Sequence, residues 1–179
     1  MNQTAPKSTM QKIAAGLEKA FASGGFADTS VEVLREAAGV SLRTLYKYTP
    51  SRGEMVLAAL EHRHQRYMVR VFDAVPPGGD GALEAVIDGV AGWMASESAH
   101  GCLFHAAVAA DPASGRLRTL LERHKQEVAA RAAAVSGLTG AETDLLLIIE
   151  GLTQAWPLRQ EAAVASAKHL GRLLRDTRV

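Results

Sequence analysis

Between Thr29 and Arg52 the chain gathers hydroxyls, cations and tyrosines at close spacing: Thr29, Ser30, Ser41, Arg43, Thr44, Tyr46, Lys47, Tyr48 and Arg52. Hydroxyls and cations hydrogen-bond phosphate oxygens, which fixes a partner's position without reading its sequence. An arginine does more, since its planar fork matches the paired acceptors on the major-groove edge of guanine. The chemistry offered here is recognition of a polyanion rather than bond making.

The residues capable of bond making are spaced poorly for it. Six histidines (62, 64, 100, 105, 124 and 169) and Cys102 are the candidates. His62 and His64 stand two apart on an expected helix, so they point to different faces. No His-Glu-x-x-His, no second cysteine and no glycine-rich phosphate loop occurs. No enzyme, no metal and no cofactor is expected. His100, Cys102 and His105 leave one alternative open, a metal or redox sensor, although a single cysteine commonly packs as a small apolar side chain. A second alternative is a helical adaptor that binds no DNA.

The elements that would carry these residues are all helical. Apolar residues recur at helical spacing and no alternating, strand-like run survives. Nine helices are expected: residues 9–23, 31–38, 42–48, 52–74, 82–97, 102–109, 113–136, 141–156 and 160–177. Glycine and proline punctuate them, most clearly in the linker Pro76-Pro77-Gly78-Gly79-Asp80-Gly81. Ser30, Ser41 and Ser51 stand where N-caps are needed. The expected architecture is all-α: a three-helix head over residues 1–51 and a helical-bundle body over 52–179, with helix 52–74 connecting the two. The net charge is only +1, but residues 1–53 hold seven cations against four carboxylates and the remainder thirteen against fifteen. A basic head suits phosphate contacts at one end. One cysteine excludes an internal disulfide and fits a reducing, cytoplasmic setting. Neither a signal peptide nor a membrane-length apolar run is found, so no membrane partner is expected.

Helices 31–38 and 42–48, joined at Ala38-Gly39-Val40-Ser41, have the layout of a helix-turn-helix. Gly39 falls where the turn needs a residue tolerant of positive φ. Val31, Leu34, Ala38, Val40 and Leu45 are expected to hold the pair on the head's core. Ser41, Leu42, Arg43, Thr44, Lys47 and Tyr48 are then left facing outward or sideways. Arg43 is placed to read guanine; Thr44, Tyr46, Lys47, Arg52, Thr29 and the helix start at Ser30 are placed for phosphates.

The joint pattern Ala20-Phe21, Gly25-Phe26, Thr29-Ser30-Val31, Ala38-Gly39-Val40-Ser41, Thr44-Leu45-Tyr46 and Pro50-Ser51-Arg52 resembles the DNA-binding head of the TetR (tetracycline repressor-like) transcriptional regulators. The resemblance covers roughly residues 10–58. Arg35 departs from it by standing where the family has a small alanine, and Thr49 by standing where it has an aromatic residue. Gly101-Cys102-Leu103-Phe104 resembles the start of a short helix in a C-terminal variant of the family. The resemblance implies a homodimer that binds double-stranded DNA at a pseudo-palindromic operator. It further implies a repressor released by a small effector, apolar or amphipathic and not identified by the sequence.

The body offers residues for both remaining roles. Leu145, Ile148, Ile149 and Leu152 on one helix, with Ala163, Ala167, Leu170 and Leu174 on the next, are spaced for a four-helix dimer interface. Tyr67, Trp93, Met94, Phe104, His105 and Trp156 are the candidate lining of an effector pocket, being mostly apolar and aromatic. His105, inside an apolar run, equally suits a place in the core.

Overall fold

The computed structural model describes residues 8–76, 78, 81–98 and 101–177. Met1–Lys7, Pro77, Gly79 and Asp80 of the expected linker, and His100 lie outside the described residues. Every regular element among the described residues is helical, and there are eight: α1 (Thr9–Gly24), α2 (Val31–Ala38), α3 (Leu42–Tyr48), α4 (Arg52–Phe72), α5 (Ala82–Glu97), α6 (Leu103–Ala110), α7 (Gly115–Ser136) and α8 (Glu142–Asp176).

The count is eight and not nine because the last two expected helices follow each other without an intervening loop, joined at a kink. Pro157 lacks a backbone donor and restricts the residue before it, hence the break expected there. The chain stays helical for the residues just past the proline and leaves the helical conformation at Gln160, with φ 38° and ψ −114°, where the second expected helix starts. Residues 157–162 are all exposed. Water can therefore take the backbone groups that the kink frees.

The chain forms two compact units. The first comprises Met1–Gln65 and Leu103–Leu117, the second Arg66–Cys102 and Arg118–Val179. In the first, Ile13, Leu17 and Phe21 of α1 pack with Leu34 of α2, Leu45 of α3, and Met55 and Leu60 of α4, all fully buried. Phe21 stacks on Phe26 with centroids 4.9 Å apart. Gly16 lets α1 and α2 touch, because a Cβ there would lie 2.2 Å from the Ala37 carbonyl oxygen. Glu18 interrupts the apolar face of α1. Its carboxylate meets His62 Nδ1 at 2.6 Å and accepts a 3.1 Å hydrogen bond from Arg63 of α4.

In the second unit α5 packs against α8, around Leu83, Val86, Ile87, Val90, Leu145 and Ile149. Gly171 keeps this contact close, since a Cβ would stand 2.9 Å from Leu83 Cδ2. Val128, Ala132 and Val135 of α7 complete the core.

Candidate nucleic-acid interface

The local sequence dictates the head's short helices. Ser30 Oγ accepts from Val33 N at 3.3 Å and so caps α2. Gly39 ends α2 at φ 64°, ψ 33°, a left-handed conformation that glycine adopts at little cost. Ser41 restarts the chain, its hydroxyl accepting from Thr44 N at 3.1 Å and sharing a 2.9 Å hydrogen bond with the Thr44 hydroxyl. Ser51 repeats the device for α4, accepting from Glu54 N at 3.2 Å.

One side chain fastens α3 to the head. Leu45 is 0% exposed and is the single fully buried residue of that helix. Around it Leu42, Arg43, Tyr46, Lys47 and Tyr48 are all exposed, and Thr44 is half-buried. Exposed leucine and tyrosines on a seven-residue helix are a poor bargain for an isolated surface, because nearly half of each apolar body stays wet. Lys47 Nζ lies 5.8 Å from the Tyr48 ring centroid, so the cation and the aromatic face share one patch.

Two of the sequence-derived contacts stand elsewhere. Thr29 is 5% exposed and its hydroxyl donates to the Gly25 carbonyl at 2.6 Å, closing the α1–α2 turn. Arg52 donates to the Phe26 carbonyl at 2.5 Å and lies over the Phe21 ring, 5.7 Å from its centroid. Both side chains are thus engaged by that turn, and sequence reading alone missed this role. The paired phenylalanines were the available signal, since a cation next to a buried aromatic pair often packs on it. Ser30 and Ser41 are exposed, but their hydroxyls serve as caps.

Arg35 is half-buried on α2, and Thr49 is buried with its hydroxyl donating to the Leu45 carbonyl at 2.9 Å. That intrahelical bond satisfies the one polar atom that Thr49 brings into the core.

The candidate pocket residues divide between the units. Tyr67, Trp93 and Met94 are buried in the second unit, where the Tyr67 ring meets Trp93 edge-on at 5.3 Å and His124 at 5.4 Å. Trp156 packs half-buried against the same core. Phe104, buried, and His105, half-buried, belong to α6 in the first unit.

The candidate dimer residues divide by depth. Leu145, Ile149 and Leu152 point into their own unit's core, as do Ala163 and Ala167 for the most part. Ile148 and Leu174 are half-buried and Leu170 is exposed. The two halves of α8 enclose a groove of about 420 Å³ lined by Leu147, Ile148, Gly151, Ala155, Ala163 and Leu170, among others. Leu147 is 67% exposed beside it.

Among the described residues no group of three or more His, Cys, Asp or Glu side chains is placed to hold a metal ion. No helix described is long and apolar enough to cross a membrane.

Residues 13–59 match the family described as bacterial regulatory proteins, tetR family. A solved TetR-family transcriptional regulator from Streptomyces coelicolor is similar over 95% of this chain and 98% of its own, with 25% identity and a TM-score of 0.69. GusR of Salmonella enterica shares the fold at 20% identity and a TM-score of 0.67, over 97% of each chain. A tetR-transcriptional regulator of Streptomyces avermitilis does so at 21% identity and 0.69, over 94% of this chain and 99% of its own. No curated protein sequence matches it significantly.

Proposed function

We propose, from the match of residues 13–59 to the TetR family of bacterial regulatory proteins and the similarity of the chain to a solved TetR-family regulator, that it is a ligand-responsive, DNA-binding transcriptional repressor acting as a homodimer. Residues 1–51 form the DNA-binding head and 52–179 the part that pairs and binds the effector. The observation that carries this reading is α3: seven residues held by Leu45 alone, with Arg43, Tyr46, Lys47 and Tyr48 standing outward. Arg43 has the reach and chemistry for a base edge; Tyr46, Lys47 and Tyr48 suit the phosphate backbone. Thr29 and Arg52 act indirectly, Thr29 by closing the α1–α2 turn and Arg52 by tying the start of α4 to that turn.

Selection of random duplexes against the purified protein gives the preferred site. Arg43→Ala is then expected to relax discrimination at one base position, costing about 1–3 kcal/mol there. Lys47→Ala is expected to weaken binding to all duplexes alike and to reduce the salt dependence by about one counterion. Titrations of both variants over a salt series measure these effects. Equal, weak binding of parent and variants to every duplex would sink the regulator.

Two half-sites require two heads, and the α8 groove supports the pairing. Its rim is the apolar surface around Leu147, Ile148, Gly151, Ala155 and Leu170, whereas Leu145 and Ile149 serve their own core. Leu147→Glu with Leu170→Glu is expected to yield a folded monomer that binds the selected duplex weakly. Sedimentation velocity checks the mass and circular dichroism the fold. A parent chain that sediments as a monomer while binding the palindromic duplex at full affinity would overturn the dimer.

Release follows if the effector prefers the arrangement in which the heads no longer match the half-sites. Its power is limited to its differential affinity for the two states.

A further inference from the structure

Of the exposed residues of α3, Leu42 alone has no part in the proposed contacts. It is 39% exposed, and Tyr46, four residues on, is 45% exposed. Residues four apart stand one above the other on a helix, so these two form an apolar stripe. Arg43 and Lys47 are exposed and, by the same spacing, form a cationic stripe beside it. The head makes little use of the Leu42 side chain, because Leu45 is the buried residue of α3. The flanking hydroxyls are engaged with each other. Ser41 Oγ accepts from Thr44 N at 3.1 Å and shares a 2.9 Å hydrogen bond with Thr44 Oγ1. The leading turn of α3 therefore presents an aliphatic side chain between hydroxyls already bonded within the chain.

A single exposed leucine is ordinary on a protein surface. One that adjoins a cationic stripe, on the helix proposed to enter DNA, is placed against a polyanion. Most of what duplex DNA offers there is charged or hydrogen-bonding. The apolar exception on the major-groove edge is the C5-methyl group of thymine. The first residues of a recognition helix are the ones that reach base edges. An aliphatic side chain gains there by shutting that methyl group off from water.

We infer that Leu42 is a specificity-determining residue that reads thymine, packing on its C5-methyl group in the same half-site as the base read by Arg43. The inference rests on the DNA-binding reading of α3. Tyr46, one turn further along, keeps its place at the phosphate backbone. The contact uses no hydrogen bond, so it separates thymine from uracil, which lacks only that methyl group.

The full chain and its selected duplex test this, with thymines replaced one at a time by deoxyuridine. The exchange removes one methyl group and leaves every hydrogen-bonding atom in place. At one thymine of a half-site the parent is expected to lose about fourfold in affinity, the worth of one methyl group taken out of water. Leu42→Ala should bind the thymine and uracil duplexes alike, which closes a double-mutant cycle on this one contact. Tyr46→Phe should weaken both duplexes and preserve the parent's ratio, whereas a general loosening of α3 would erase it. Circular dichroism checks the fold of each variant. Leu42→Met keeps an apolar side chain of similar volume and should retain the preference, so it serves if alanine disturbs the helix.

A parent indifferent to uracil at every thymine overturns the inference and leaves the regulator standing. A folded Leu42→Ala protein that keeps the parent's preference overturns it too, since Leu42 would then face away from the bases. A parent that prefers no duplex over any other overturns the regulator reading, and thymine recognition with it.

Discussion

Gly16→Ala is expected to destabilise the head by about 3 kcal/mol and to abolish duplex binding with it. Two effects oppose each other at this position. Alanine is the better helix former, worth up to about 1 kcal/mol in a helix interior. Against that, the new Cβ would stand 2.2 Å from the Ala37 carbonyl oxygen and 2.6 Å from the Ala38 Cα. These are backbone atoms of α2 and cannot swing aside as a side chain would, so α1 and α2 must part. Overpacking typically costs about 1–3 kcal/mol, and a backbone obstacle belongs at the upper end. Gly92→Ala in α5 is the control, because nothing lies within 4 Å of its Cβ position and alanine should there stabilise slightly. Urea denaturation of both variants measures the contrast. A Gly16→Ala protein as stable as the parent would show that α1 and α2 do not meet at this residue.

Glu18→Ala is expected to cost still more, about 3–5 kcal/mol. The Glu18 carboxylate is 3% exposed and is shared between His62 and Arg63. Its removal leaves a buried guanidinium without that carboxylate, in a region where water cannot replace it cheaply. Glu18→Gln keeps an acceptor for the Arg63 N–H and should lose less. The exposed Glu54–Arg116 pair is a useful contrast. The hydrogen bond from Arg116 holds the Glu54 carboxyl below the usual carboxylate range, yet solvent screens both groups, and Arg116→Ala should leave the denaturation midpoint near that of the parent. If Glu18→Ala proved as mild as Arg116→Ala, the buried group would not be what fastens α1 to α4.

The helices of the head were legible because their signals are local. Ser30, Ser41 and Ser51 cap by reaching an amide three residues on, and Gly39 ends α2 through its own dihedrals. Neither device depends on distant chain. The same holds for the apolar spacing that put Leu34 and Leu45 inside. The interruption near Pro157 was legible too: the backbone leaves the helical conformation at Gln160, where the second of the two expected helices begins.

What the sequence by itself determined is therefore the all-helical class, the helix-turn-helix and the identity of the outward α3 residues, since capping, periodicity and turn chemistry are encoded within a few residues of each other. Tertiary structure alone decided that Thr29 and Arg52 bind the α1–α2 turn, that Leu145 and Ile149 belong to their own core, and that Lys125 lies against Cys102. Those pairings join residues far apart in the chain, and only the folding of the helices onto one another creates the distances and the burial that give them their chemistry.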